Sequence, residues 1–158
     1  MKTYIGLDNG VTGTIGIIGE DGVQFLKVPV KKEQNYTKKK DNITRIDIDK
    51  FMDLLGKYKP SETFILIERP MVNPQRFKAT VSAVRCLEAE LVSIEHLKIP
   101  FQYCDSKEWQ KVLLPKGTDD TKKASMDIGN RLFPQFKDFK HPDRDGLLIA
   151  EYAKRKQF

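Results

Sequence analysis

Four acidic side chains stand where packing gives them no use. Asp8 closes the alternating stretch KTYIGLD, Glu68 closes the apolar run TFILIE, and Asp143 and Asp145 precede the apolar run LLIA. Like carboxylates brought within a few ångströms of one another repel unless cations lie between them. If the two strands are neighbours, their C-terminal ends bring Asp8 and Glu68 together. The first turn of a final helix then adds Asp145, with either Asp143 or His141. Oxygen donors without cysteine suit Mg²⁺ or Mn²⁺ rather than Zn²⁺. Two such ions about 4 Å apart can activate a water and stabilise the leaving oxygen in phosphodiester hydrolysis. Each acid alone has a plainer reading. Asp8 suits an Asx turn in DNG, Glu68 a solvated strand end, and Asp143 and Asp145 the positive end of a helix dipole. Their joint placement favours the metal site.

The elements that must position these groups follow from the patterning. Residues 2–8, 12–19 and 23–30, separated by Asn, Asp and Gly turn signals, predict a three-stranded antiparallel meander. Residues 31–45, with six basic and two acidic side chains, predict an exposed loop. A helix follows Asp47, carries Phe51, Leu54 and Leu55 inward and ends before Pro60, and residues 63–68 read as a central strand. The spacing of Ala79, Ala83, Leu87, Leu91, Ile94 and Leu97 predicts a helix over 75–98. Ser82, Cys86, Ala89 and Ser93 form a small-residue stripe on it that would admit another backbone. A strand at 101–104, a short helix from Asp105 or Ser106 to Trp109, a helix over 121–133, a linker and a last helix over 143–156 complete one α/β domain spanning 1–158.

Composition bounds the function. A 39% hydrophobic share in 158 residues excludes a wholly disordered chain. No apolar run exceeds four residues, which predicts no membrane span, and the start MKTYIGLDNG has no apolar signal-peptide core. Two cysteines without metal-ligand spacing fit a reducing, cytoplasmic setting. The net charge of +6 favours a polyanionic partner without identifying it.

The motif YIGLDNGVTGTIGII resembles the first strand pair of RuvC-type Holliday junction resolvases, within the RNase H-like nuclease superfamily. FILIERP resembles that family's strand-four Glu motif, and HPDRDGLLIAEYAKR its final acidic helix. The segments ERPMVNPQRFKAT, SAVRCLEAEL and TKKASMDIGNRLFP are similar to further stretches of phage-type relatives. The motifs run in family order over nearly the whole chain. The resemblance implies an RNase H-like mixed five-stranded sheet flanked by helices. It also implies a homodimer pairing through the long helix and two Mg²⁺ ions, with Mn²⁺ able to substitute. The implied activity is symmetric cleavage of four-way junctions and related branched DNA in a bacterial or phage-infected cell.

Matched by position, Asp8, Glu68 and Asp145 carry over as metal ligands. The family's fourth ligand usually lies three residues before the helix Asp, where this chain has Pro142. Asp143 is the favoured replacement and His141 the next. Lys122, preferred over Lys123, matches a functional Lys at the start of its helix, where an ammonium can hold the scissile phosphate. Arg76, Lys78, Lys116 and Lys123 are candidate DNA contacts, with Lys38 to Lys40 and Lys154 to Lys156 as further cations. Phe77 is a candidate wedge or base-stacking residue, with a core position as the plainer alternative, and Trp109 reads as a packing residue.

Other readings remain at this level. IGLDNGVTGTIG is also similar to the phosphate-binding hairpin of sugar kinases and actin-like ATPases. Those proteins close two such domains around ATP, whereas 158 residues supply one, so no nucleotide cofactor is expected. The Pro142 departure leaves room for a non-catalytic branched-DNA binding protein. The shared metal chemistry leaves room for a nuclease acting on flaps, forks or RNA–DNA hybrids.

Overall fold

The computed structural model describes residues 2–158. Strands β1 (Thr3–Leu7), β2 (Thr14–Gly19) and β3 (Gly22–Lys27) form the expected antiparallel meander, with Gly22 at φ +106° turning the chain into β3. Then come β4 (Val30–Gln34), β5 (Asn42–Ile46), α1 (Ile48–Leu55), β6 (Thr63–Glu68) and α2 (Phe77–His96). The chain finishes with β7 (Phe101–Cys104), α3 (Ser106–Leu113), α4 (Thr121–Leu132) and α5 (Asp145–Lys156). The main sheet runs β3-β2-β1-β6-β7, with β6 parallel to both β1 and β7. Among the described residues, no helix is long and apolar enough to cross a membrane.

Both faces of the sheet are covered, which is why TFILI reads as a continuous apolar run rather than an alternating one. Ile5, Leu7, Ile65 and Ile67 point into a core with Phe51 of α1 and Cys86 and Ile94 of α2. Tyr4, Phe64 and Leu66 point the other way, against Trp109 of α3 and Leu148 and Ile149 of α5.

Two expectations are corrected. Much of the polar segment 31–45 is not loop: β4 and β5 pair antiparallel in a separate two-stranded sheet. The backbone ladder joins them, and Glu33 of β4 pairs with Arg45 of β5 across it at 2.6 Å and with Lys31 of its own strand at 2.7 Å. The segment's basic excess masks this pairing, because strand patterning is read from apolar alternation and Ile43 is its only aliphatic residue. Next, α3 continues to Leu113, four residues beyond Trp109, and buries both residues. On α2, Cys86 and Ser93 are buried while Ser82 and Ala89 are half-buried, and all four line one groove against β5 and α1. The exposed apolar residues of α2 are instead Phe77, Val84 and Val92.

α5 crosses β1 and β2 at backbone contact. A Cβ on Gly6 would lie 2.3 Å from the Ala150 nitrogen, and one on Gly16 would lie 2.4 Å from the Gly146 carbonyl oxygen. Gly146 is equally closed, 2.7 Å from the Thr14 carbonyl oxygen. Neighbouring backbone cannot yield as a flexible side chain can. Gly16→Ala should therefore cost about 3 kcal/mol, a fall in Tm of roughly 6–12 °C. A thermal melt showing an unchanged Tm would refute this packing.

Candidate metal centre

β1 and β6 pair with Leu7 opposite Ile67, so the next residues, Asp8 and Glu68, leave the sheet side by side. The Asp8 N–H donates to the Thr14 carbonyl at 3.0 Å, and the Thr14 hydroxyl oxygen accepts from the Gly146 N–H at 3.1 Å. One buried threonine thus fixes the end of β1 against the first turn of α5. Carboxylate oxygens of Asp8, Asp143 and Asp145 come within 4.8 Å of one another. Glu68 stands beside this trio, and its Oε2 accepts from the Trp109 indole N–H at 2.5 Å. Asn9 lines both the cleft of the three aspartates and the adjoining cavity that contains Glu68.

The electrostatics follow from crowding acids in a sheltered place. Burial holds the Asp8 carboxyl well above the usual range, and Asp145, Glu68 and Asp143 push it further. Burial, then Asp143, lifts Asp145 to about 6, although the Ser125 hydrogen bond and Lys122 oppose the rise. Glu68 is raised to about 7, chiefly by burial and against the Trp109 hydrogen bond. An all-oxygen donor set whose members repel one another is what a hard divalent cation would relieve.

Asp143 and His141 take different places. Asp143 presents an oxygen to the cluster, while both ring nitrogens of His141 are engaged. His141 Nε2 lies 2.9 Å from the Thr12 carbonyl, which can only accept, so that nitrogen carries the proton. Its Nδ1 faces Asp143, 3.3 Å from Oδ1 and 3.4 Å from the backbone nitrogen. His141 therefore buttresses Asp143.

The loop before α5 is held by a residue that the sequence did not flag. Arg144 is fully buried. Its guanidinium donates to the carbonyls of His141, Asp143, Phe136, Lys137 and Phe139 and to Asn130 Oδ1, at 2.9–3.4 Å. Ser125, also buried, accepts from the Arg144 N–H at 3.0 Å and donates to Asp145 Oδ1 at 2.5 Å. Trp109 is the packing residue expected, but it also orients Glu68. A buried indole needs an acceptor, and that requirement was the available signal. No local pattern in the sequence announces Thr14, Ser125 or Arg144.

The cleft, about 730 Å³, is bordered by the three aspartates and His141, with Lys27, Lys122 and Lys140. Lys122 thus lines the cleft of the three aspartates. Lys27 and Lys140 were not anticipated. Lys123 is exposed outside the lining, and its N–H is taken up by the Asp120 cap. Arg76 borders the cavity beside Glu68. Phe77 is 71% exposed, which excludes the core alternative for it. Lys78 lines a separate groove with Lys38 and Lys39. Lys116 is exposed between α3 and α4, and Lys154 to Lys156 lie at the far end of α5, about 15 Å along the helix from Asp145.

No family model matches the sequence, and no curated protein matches it. Among solved structures, Thermus thermophilus RuvC in complex with Holliday junction substrate is similar over 99% of this chain and 95% of its own, with a TM-score of 0.64 and 12% identity. A second Thermus thermophilus RuvC structure is similar over 98% and 96%, with a TM-score of 0.56 and 14% identity. The chain has the RNase H-like fold of RuvC, as its motifs implied.

Proposed function

We propose that this protein is a divalent-metal-dependent endonuclease that resolves four-way DNA junctions as a homodimer, in the cytoplasm of a bacterial or phage-infected cell. The observation that carries this reading is the clustering of Asp8, Asp143 and Asp145 within 4.8 Å, beside Glu68 and bordered by lysines. It occurs in a chain with the fold of a protein solved with a Holliday junction. Asp143 supports a catalytic reading over a non-catalytic binder, because it supplies the carboxylate missing at Pro142.

Asp8, Asp143, Asp145 and Glu68 would hold the ions, Mg²⁺ by preference and Mn²⁺ in substitution. Bound there, divalent cations lower the pKa of water and neutralise charge on the leaving oxygen. The chain's own groups do the rest. Lys122 holds the scissile phosphate at the cleft, Lys27 and Lys140 offset the carboxylates' repulsion of DNA, and Ser125 and Trp109 fix the oxygens of Asp145 and Glu68. Two symmetric cuts need two sites in matching orientation, which a two-fold dimer supplies. Val84 and Val92 on the exposed side of α2 offer the apolar surface for it.

The test is incubation of labelled four-way junction, fork, flap, linear duplex and RNA–DNA hybrid, with and without Mg²⁺. Paired symmetric nicks confined to the junction are expected. Broad cutting would assign a general structure-selective nuclease, and tight binding without cutting a binding protein.

The raised carboxyls give a second expectation. A carboxyl with an elevated folded pKa contributes stability at low pH that is lost as pH rises through 6–7, the range of Asp145 and Glu68. Mg²⁺ should restore it. At a hundred times its Kd, about 2.7 kcal/mol or roughly 5–10 °C in Tm is expected at pH 8, and much less at pH 5. Equal Mg²⁺-induced shifts at both pH values would count against these carboxylates as ligands.

A further inference from the structure

A groove of about 820 Å³ runs between the β4–β5 turn and the first half of α2. Its features are those of a stacking site. Tyr36, in the turn, is 69% exposed, and the Arg85 guanidinium lies 4.9 Å from its ring centroid. One face of the ring is therefore backed by a cation while the ring remains open to solvent. The turn is ordered from within. The Asn35 N–H donates to the Asp41 carbonyl at 2.8 Å, Asn35 Nδ2 to Asp41 Oδ1 at 2.7 Å, and the Thr37 N–H to Asn35 Oδ1 at 3.0 Å. Tyr36 is thus presented on a closed turn. Phe77 lines the same groove from α2. Lys38, Lys39, Lys78 and Arg85 outnumber Asp41, the groove's one acidic residue, which is already bonded to Asn35. Val11 lines both this groove and the carboxylate cleft, so the two are adjacent along one surface.

We propose that this groove takes one unpaired nucleotide displaced at a DNA branch point, with its base on the open face of Tyr36 and its phosphates against Lys38 and Lys39. The proposal rests on the reading of the protein as a branched-DNA nuclease. A base inside a duplex has both π-faces covered by its neighbours and cannot stack there. An unpaired base can, whatever its identity, since every base offers a π-face. The groove would then add preference for branched over linear DNA without reading sequence. Lysine contacts to phosphate supply affinity alone.

The test uses the full chain without Mg²⁺. The DNAs are a four-way junction, a duplex with 2-aminopurine in a one-nucleotide bulge, and the matching paired duplex. Wild type and Tyr36→Phe should quench the bulged 2-aminopurine. Tyr36→Ala should not, and it should bind bulge and junction roughly tenfold more weakly while holding paired duplex as before. Lys38→Ala should weaken all three alike and lower the salt slope by about one. Unchanged quenching and bulge affinity in Tyr36→Ala would overturn the proposal. So would losses that track dissociation of a dimer in sedimentation, which would make the groove a protein interface. Wild-type protein binding none of these DNAs would overturn the nuclease reading itself, and this site with it.

Discussion

Asp8→Asn should lower Mg²⁺-dependent junction cleavage by at least about a thousandfold while leaving junction affinity within about twofold. The amide keeps the shape but removes a charge from a trio whose oxygens lie within 4.8 Å. Under the proposed function, junction affinity comes from lysines and arginines outside that trio. The same substitution removes repulsion from a buried acid cluster, so Tm in chelator should rise while the Mg²⁺-induced increase disappears. A merely structural aspartate would produce neither change. Glu68→Gln and Asp143→Asn should follow the same pattern. His141→Ala should lose about 10–100-fold, as expected when a ligand keeps its identity but loses its buttress. Near-normal turnover by Asp8→Asn or Glu68→Gln would remove the assignment. A larger loss from His141→Ala than from Asp143→Asn would exchange the roles of those two residues.

Arg144→Lys should be the most damaging charge-conserving change in the chain. The guanidinium satisfies five backbone carbonyls and Asn130 from a fully buried position, and no side-chain carboxylate is within ion-pair reach of it among the described residues. An ammonium has three donors and no planar fork, so it leaves several of those acceptors unmet in the interior. Each stranded carbonyl costs roughly 1–3 kcal/mol. A loss of about 3–5 kcal/mol, or roughly 6–20 °C in Tm, follows. Because the carbonyls belong to the loop that carries His141 and Asp143, cleavage measured well below the melting point should also fall. Unchanged melting would show that the loop holds itself without Arg144.

What could be read in advance and what could not divide along one line. Asp8 and Glu68 were legible because each ends an apolar run, and the parallel pairing of β1 with β6 was the step that joined them. The choice between Asp143 and His141 was open because both flank Pro142. It turns on which atoms are already engaged, and spacing does not encode that. The β4–β5 hairpin was missed because its strands are mostly polar and charged, whereas strand patterns are recognised by apolar alternation. Thr14 and Ser125 act through partners 132 and 19–20 residues away, which no local window contains, and the acceptors of the Arg144 guanidinium, though within 14 residues, are mostly backbone carbonyls that carry no side-chain signature. Lys27 and Lys140 reach the cleft from a strand end and a loop whose sequences look like any solvated surface.

The glycine contact between α5 and the sheet has a consequence for ion size. With Gly146 pressed on Thr14 and Gly6 and Gly16 pressed on α5, the backbones bearing Asp8 and Asp145 cannot move closer, and the Gly146 N–H bond to the Thr14 hydroxyl opposes their separation. A larger cation would have to be accommodated elsewhere. Glu68 has the longest acidic side chain at the site and stands beside the trio, and Asp143 rides on a loop rather than on the helix. In the proposed cage the Asp8–Asp145 spacing would be set by main chain against main chain, and Glu68 and Asp143 by the side chains of Trp109 and Arg144 that hold them. Under the proposed function, discrimination between ionic radii would therefore fall to Glu68 and Asp143, which side-chain hydrogen bonds position rather than packed backbone.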